Sequence, residues 1–377
     1  MSAFGHLGLA GLMSPSPTRV LLTGATGLIG GELLYRLVTA GVGSVRCLVR
    51  RSTDCNGVER LWRRLRRSHQ LAYCDVMKAV GVVEGDLRDS RLGLSLTHYR
   101  QLASDVNYVI HCAADTSFLG KRSALRANRD GTRHLTEFAT SCEQLMGFLY
   151  VGTAAAAGRF VDCTVAEDSK ASDHYNDYTK SKALAEDIVR GSGLPYLIVR
   201  PSIVLSDGIR DRAFARSLLW FVPLLSQFEA LPINSESRLD IVTVSYCVEA
   251  ILGLVESPDR TFECYHISAG SASVTAAEML RAAADYYGWP RSPDLVHPRQ
   301  WTGSLSRRHF RTRGQRQVFG GLRYYLPFIN MNVIYDNRRI KSALGFRHPR
   351  CRVVTDYFAN LLAQVSYEDA VLEACRP

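Results

Sequence analysis

The chain has 377 residues, 46% hydrophobic and 22% charged, a balance that provides one large or two modest cores and excludes a disordered chain. Its formal net charge of +10 favours anionic partners, but no nucleic-acid module is visible, so phosphorylated cofactors, coenzyme A and acidic proteins are the expected class. No apolar run reaches the roughly 18 residues of a membrane-spanning helix, and the first 17 residues hold no Lys or Arg, so a secretory signal would lack its charged start. Residues 1–17 are expected to be a loose tail. The ten cysteines form no C-x-x-C pair and read as reduced, mostly core thiols of a cytoplasmic protein.

In chain order, Arg19–Thr23 reads as a buried strand ended by Gly24, and Leu28–Thr39 as a helix closed by Ala40 and Gly41. Ser44–Val49 is a second strand, and Glu59–Ser68 is helical. Strands follow over Val80–Glu84 and Val106–Cys112. A long helix is expected over Ser123–Cys142, a strand over Gly147–Val151, a helix over Asp177–Arg190 and a strand over Tyr196–Arg200. This alternation implies an α/β fold, a doubly wound parallel sheet covered on both faces. Beyond Pro201 the alternation fails. Ile209–Phe228 reads as an apolar helix, Leu239–Val244 as a strand, Ser245–Val255 as a helix and Cys264–Ser268 as a strand. Residues 18–205 are therefore expected to form the main domain, with 239–268 returning to it. Residues 206–238 and 269–377 are expected to form a smaller, mainly helical substrate lobe.

The first strand runs into Thr23-Gly24-Ala25-Thr26-Gly27-Leu28-Ile29-Gly30. In such a turn the first glycine permits the tight bend, the second lets backbone approach a pyrophosphate, and the third lets the helix pack close to the sheet. The helix start then offers free N–H groups and a positive dipole end to phosphate. An acidic residue after the second strand would select NAD. The chain instead has Arg50 and Arg51, which can pair with a 2′-phosphate, so NADP(H) is expected and the main domain is a Rossmann domain. Asp86, after the third strand, can accept from the adenine amine or cap the segment that follows.

Tyr178 and Lys182 lie at i and i+4 and share one helix face. A phenol titrates near pH 10. A neighbouring ammonium favours phenolate and lowers that value, and the tyrosine can donate a proton to an oxyanion formed by hydride attack. Lys182 can also hold the nicotinamide ribose. Such a pair alone is common on surface helices. Here a strand ending at Thr153, whose hydroxyl can hydrogen-bond a carbonyl, precedes it, and both follow the dinucleotide turn. No Cys/His cluster has ligand spacing, and no metal is expected.

With these residues the chain resembles an extended short-chain dehydrogenase/reductase over roughly residues 19–205. The glycine turn, the His111-Cys112-Ala113-Ala114 stretch and the set Thr153, Tyr178 and Lys182 carry the likeness. The resemblance implies that Thr153 and Tyr178 bind the carbonyl, that Tyr178 donates the proton and that Lys182 activates it. It also implies cofactor contacts from Ala113 and Ala114, structural support from Asn128, and further contacts from Thr23, Thr26, Leu28, Ile29, Leu87, Pro201 and Ile203. Three stretches resemble the thioester reductase and fatty acyl-CoA reductase branch more narrowly. They are the arginine-rich insert from Val58 to Arg67 before Val83–Leu87, His111–Phe118, and Val199–Val204. That branch uses NADPH to reduce an acyl thioester on coenzyme A or on a carrier protein to an aldehyde or an alcohol. The chain departs from it at Gly152, where Ser is common, and at Ala155 and Ala156, where an aromatic is common.

Arg50 to Arg67 holds seven arginines, and Arg291 to Arg323 holds eight. Arg60, Arg63, Arg64 and Arg67 fall on one helix face, which reads either as an ordinary solvated face or as one suited to phosphates of coenzyme A, to phosphopantetheine or to an acidic acyl- or peptidyl-carrier protein. The tract over residues 299–325 interleaves Arg307, Arg308, Arg311, Arg313 and Arg316 with aromatics and reads as a carrier-protein contact, a peripheral membrane contact or a mobile lid. The rival readings are a ketone or aldehyde reductase, a hydroxysteroid-type dehydrogenase, a sugar-nucleotide epimerase of the same family, and a non-catalytic dinucleotide-binding regulator. Arg50 and Arg51 argue against the epimerase, and the complete Thr–Tyr–Lys set argues against the regulator.

Overall fold

Short apolar runs buried on both faces pair in parallel to make the centre of the molecule. A computed structural model describes residues 18–68, 80–116, 121–206, 221–257 and 261–345. The main domain runs β1 (Arg19–Thr23), α1 (Leu28–Thr39), β2 (Ser44–Val49), α2 (Gly57–Ser68), β3 (Val80–Glu84), α3 (Leu96–Asp105) and β4 (Tyr108–His111). A helical stretch then ends in α4 (Gly131–Thr140), followed by β5 (Gly147–Val151), α5 (Asp177–Arg190) and β6 (Tyr196–Pro201). Later come α6 (Val244–Glu256) and β7 (Cys264–Ile267). The seven strands lie in the order β3-β2-β1-β4-β5-β6-β7, and every pairing is parallel. Strand order therefore reverses between β1 and β4, which opens a crevice at the carboxyl edge.

One face of the sheet packs Val20, Leu22, Ile110 and Val199 against Leu33, Leu37, Leu61, Val248 and Ile251 of α1, α2 and α6. The other packs Leu21, Val109, Phe148 and Ile198 against Leu102, Leu135, Phe138 and Val189 of α3, α4 and α5. A separate core gathers Leu224, Leu239, Met279, Phe310, Val318 and Leu322. It belongs to α7 (Ala276–Tyr287), α8 (Gly303–His309), α9 (Arg313–Leu322) and the segments before α6. No helix among the described residues is long and apolar enough to cross a membrane.

Four expectations need correction. The expected long helix over Ser123–Cys142 is interrupted: Lys121–Ala124 is α-helical, Leu125–Asp130 is a π-turn, and α4 ends at Thr140. The strand expected over Val106–Cys112 is only Tyr108–His111. The strand expected over Leu239–Val244 is broken at Asp240. Arg238–Leu239 pairs antiparallel with Val274–Thr275, and Ile241–Thr243 pairs parallel with Ile203–Leu205. The Asp240 carboxylate turns inward, accepts from the Ala269 and Gly270 amides at 2.8 and 3.2 Å, and breaks the ladder. Pairing with the main sheet resumes only at β7. Of the helix expected over Ile209–Phe228, residues 209–220 lie outside the described residues; Val222–Gln227 is a 3₁₀ turn opened by Pro223. The expected tail over residues 1–17 also lies outside the described residues.

Candidate active site

Because all seven strands are parallel, their carboxyl ends share one edge. Along it stand Asp86 after β3, Arg50 after β2, the Gly24 turn after β1, Ala113 and Ala114 after β4, Thr153 after β5, and Pro201 at the end of β6. The turn can hold only glycine at two points. Gly24 has φ +77°, and a Cβ there would lie 2.5 Å from the Ala113 amide nitrogen; a Cβ on Gly30 would lie 2.3 Å from the Gly24 carbonyl oxygen. The Gly27 amide closes the bend on that same carbonyl at 2.8 Å. Helix α1 has no side-chain cap at Gly27 and no acidic residue in its first turn. Its first N–H groups and dipole are thereby left for an anion. This backbone cradle fits a dinucleotide pyrophosphate. Thr26, Leu28 and Ile29 are half-buried around it. Thr23 is buried, and its hydroxyl meets His111 Nδ1 at 2.8 Å.

Arg50 and Arg51 are both exposed beside the β2 end, and Arg51 Nε lies 3.9 Å from Glu84 Oε2. Asp86 is engaged by its own loop: it takes the Arg88 amide at 2.9 Å and a two-pronged contact from the Arg88 guanidinium. Burial alone would raise its pKa, but these bonds outweigh that and hold it below the ordinary carboxylate value. Its observed partner is therefore Arg88 in the turn that follows, and the N-cap position of the next helical turn, Ser90–Gly93, is Asp89 instead of Asp86. Leu87 accepts from His134 Nδ1 at 2.8 Å, which ties this loop to α4. Pro201 pairs with Ile267 in the main sheet, whereas Ile203 pairs with Ile241 outside it.

Helix α5 starts with a reciprocal capping box between Asn176 and Thr179. Tyr178, Lys182 and Glu186 then follow at i, i+4 and i+8. Tyr178 hydrogen-bonds Thr153; burial pushes its pKa up to about 12, against the pull of that bond. Lys182 is buried and donates to the Val151 carbonyl at 2.8 Å, with its ammonium 4.3 Å from the Tyr150 ring centroid. Burial lowers its pKa to about 8, and Glu186 opposes that fall. The expected lowering of the tyrosine pKa by Lys182 does not occur: the ammonium is directed to the Val151 carbonyl and the Tyr150 ring, and desolvation dominates the phenol. A phenol with a high pKa remains protonated at neutral pH and can act as an acid.

Asn128 is buried in the π-turn. It takes the Asp115 amide at 2.7 Å and donates to the Asp115 carbonyl and to Ser181 Oγ, each at 2.9 Å. It therefore bolts the loop after β4 to α5, and the π-turn aims it there. Residues 117–118 of the His111–Phe118 stretch lie outside the described residues.

Sequence reasoning missed three supports. His111 bridges Thr23 and Thr132, at 2.8 and 3.0 Å, and burial first, then Lys182, lowers its pKa to about 3. Tyr150 forms the floor under Lys182. Glu186 forms a buried two-pronged pair with Arg200, its shortest contact 2.6 Å. The i+8 spacing from Tyr178 was a readable signal for Glu186. Nothing in the sequence paired it with Arg200.

The two basic tracts also differ from expectation. Arg64 is buried against α1, its Nε 3.0 Å from where a Gly31 Cβ would stand. Arg60 donates to the Arg50 carbonyl at 3.0 Å, and Arg63 pairs with Glu59. Arg60, Arg63 and Arg64 are therefore not one open anion-binding face, and the Arg67 side chain lies outside the described residues. In the second tract Phe310 faces inward: its ring meets Phe319 at 4.2 Å and Trp301 at 5.5 Å in tilted contacts, and Phe228 edge-on at 5.4 Å. Arg307, Arg308, Arg311, Arg313 and Arg316 are exposed, and so is Tyr324, over whose ring Arg323 lies at 4.9 Å.

A family model described as Male sterility protein, an NAD-binding family, matches residues 22–251. The chain belongs to that family. This places it among the NAD(P)-binding proteins of the extended short-chain dehydrogenase/reductase class. It is 27% identical over 270 residues to the nonribosomal peptide synthetase asaC of Aspergillus flavus, an alignment spanning 67% of this chain and 26% of that protein. It is 30% identical over 278 residues to a Drosophila melanogaster protein named provisionally as fatty acyl-CoA reductase CG8303, spanning 62% of this chain and 51% of that one. The chain thus spans about a quarter to a half of the length of these relatives. The terminal R domain from the myxalamid PKS-NRPS biosynthetic pathway shares the fold, with TM-score 0.77 and 24% identity over 93% of this chain and 92% of that one.

Proposed function

We propose that this chain uses NADPH to reduce an acyl thioester, borne by a carrier protein or coenzyme A, to an aldehyde that the same chemistry can carry on to an alcohol. The observation that carries the reading is the Thr153–Tyr178 hydrogen bond, set with Lys182 on the sheet edge that also bears the Gly24 turn. From β2 to β5 that edge spans three strand spacings, about 14 Å, enough for an extended dinucleotide. The Gly24 and Gly30 cradle would hold its pyrophosphate, Arg50 and Arg51 its 2′-phosphate, and Lys182 its nicotinamide ribose. When bound, the reduced nicotinamide supplies the hydride.

Thr153 and Tyr178 both donate to the thioester carbonyl oxygen, each worth about 3 kcal/mol as negative charge develops there. Tyr178 gives its proton to that oxygen. The hemithioacetal then collapses, breaking the C–S bond to release aldehyde and thiol. The names of the asaC synthetase and the myxalamid R domain support the thioester and the carrier protein, and the exposed Arg50 and Arg51 support the 2′-phosphate. The test follows NADPH oxidation with acyl-CoA, acyl-carrier-protein thioesters, ketones and aldehydes. Thioester turnover with thiol release is expected. Turnover confined to ketones or aldehydes overturns the thioester. Reversing both arginines to glutamate is expected to move preference toward NADH; tighter use of NADH by the unaltered chain overturns the NADPH assignment.

A further inference from the structure

Lys182 sits in a cage whose walls come from three elements. On its own helix stand Tyr178 and Glu186. From β5 come the Val151 carbonyl, 2.8 Å from Nζ, and the Tyr150 ring, 4.3 Å away. From the end of β4, His111 and Cys112 lie within electrostatic reach. Glu186 is the only carboxylate of this set. It is 3% exposed and held by Arg200 from β6: Nε reaches both carboxylate oxygens at 3.0 and 3.1 Å, and Nη2 reaches Oε2 at 2.6 Å. Arg200 is itself anchored by Nη1 on the Glu167 carbonyl at 3.1 Å.

Gly152 makes room for this arrangement. A Cβ at that position would stand 2.8 Å from Glu186 Oε1 and 3.4 Å from Tyr150 Cε1. This glycine also separates Val151, whose carbonyl takes the ammonium, from Thr153, which bonds Tyr178. Any side chain here, a serine included, would displace a carboxylate that Arg200 does not let swing away.

We propose that Glu186, one helical turn after Lys182, locked by Arg200 and admitted by Gly152, is the positioning residue for Lys182, holding the ammonium against the Val151 carbonyl and the Tyr150 ring. The inference rests on reading Tyr178 and Lys182 as the proton-handling pair. Lys182 loses its proton near pH 8, and Glu186 raises that value. Removing the Glu186 charge therefore lowers the pKa, and activity that needs the ammonium is lost at a lower pH.

The direct test is an NMR titration of protein labelled at lysine Cε, with the Lys182 resonance assigned by its loss in Lys182→Met. Its midpoint is expected near 8 in the unaltered chain and about one unit or more lower in Glu186→Gln. Glu186→Asp is expected to fall between, and Gly152→Ser to move in the same direction as Glu186→Gln. The double variant Glu186→Gln/Arg200→Met removes both buried charges, so no arginine is stranded, and is expected to keep the lowered midpoint. An unmoved midpoint in Glu186→Gln, or in the double variant where the single one does not fold, overturns the inference. The alkaline limb of NADPH-dependent thioester turnover is expected to shift with the midpoint. Turnover that survives Lys182→Met overturns the underlying reading of the pair instead, whatever the Glu186 variants show.

Discussion

Gly30 is fixed by its neighbour's backbone: 2.3 Å between a Cβ there and the Gly24 oxygen leaves no rotamer to relieve the clash. Gly30→Ala is expected to open the turn, to destabilise by about 1–3 kcal/mol and to weaken NADPH binding, checked by thermal melting and fluorescence titration. A cofactor affinity equal to that of the unaltered chain would contradict the cradle. Tyr178→Phe removes one hydroxyl that bonds Thr153 and leaves the ring in place. It should cut kcat/KM by about 10²–10⁴ while the fold persists, measured by turnover beside far-UV circular dichroism. Tyr150 behaves differently. Its hydroxyl is buried and has no hydrogen-bond partner among the described residues, so burying it costs free energy. Tyr150→Phe is expected to raise the melting temperature; a fall would mean that the hydroxyl is satisfied in solution.

At the scale of elements, the π-turn over Leu125–Asp130 is the least predictable feature and does specific structural work. The apolar periodicity of Leu125, Leu135, Phe138 and Ala139 continues through it, so the sequence reads as one helix. The extra residue in the turn swings Asn128 onto Asp115 and Ser181. Asn128→Ala strands the Asp115 amide and leaves an acceptor site on Ser181 Oγ unfilled. A loss of about 2–4 kcal/mol is expected from two such groups, with faster amide exchange at residues 112–116. Exchange unchanged in that loop would show that Asn128 does not tether it. The Asp240 break follows a similar logic: a polar residue in an apolar strand pattern bonds the amides of another loop, and the ladder divides around it.

Across the whole molecule, the net charge of +10 is best separated by where it is free to act. Arg64 is buried and Arg60 is directed to backbone, whereas Arg307, Arg308, Arg311 and Arg313 are exposed and have no carboxylate in ion-pair reach among the described residues. The surface of α8 and α9 is thus the better candidate for an acidic carrier protein. Reversal of Arg307, Arg308 and Arg311 to glutamate is expected to raise KM severalfold for a carrier-borne acyl group, leave KM for a free acyl-CoA nearly unchanged, and flatten the salt dependence of the carrier reaction. Equal effects on both substrates would remove the docking role.

The strand and helix alternation, the glycine turn, and the i, i+4 pair of Tyr178 and Lys182 were legible in the sequence because each is local. Periodicity, backbone freedom and helix geometry act over a few residues, and they suffice for the parallel sheet and the family. Contacts between distant segments were not legible. Glu186 meets Arg200, His111 bridges Thr23 and Thr132, and the Lys182 ammonium faces Val151 and Tyr150 instead of activating a phenolate, because burial weighs each charge by its surroundings. The sequence alone determined which groups stand at the sheet edge. The tertiary structure decided their protonation and which arginines remain exposed, since desolvation and pairing depend on what packs against each group.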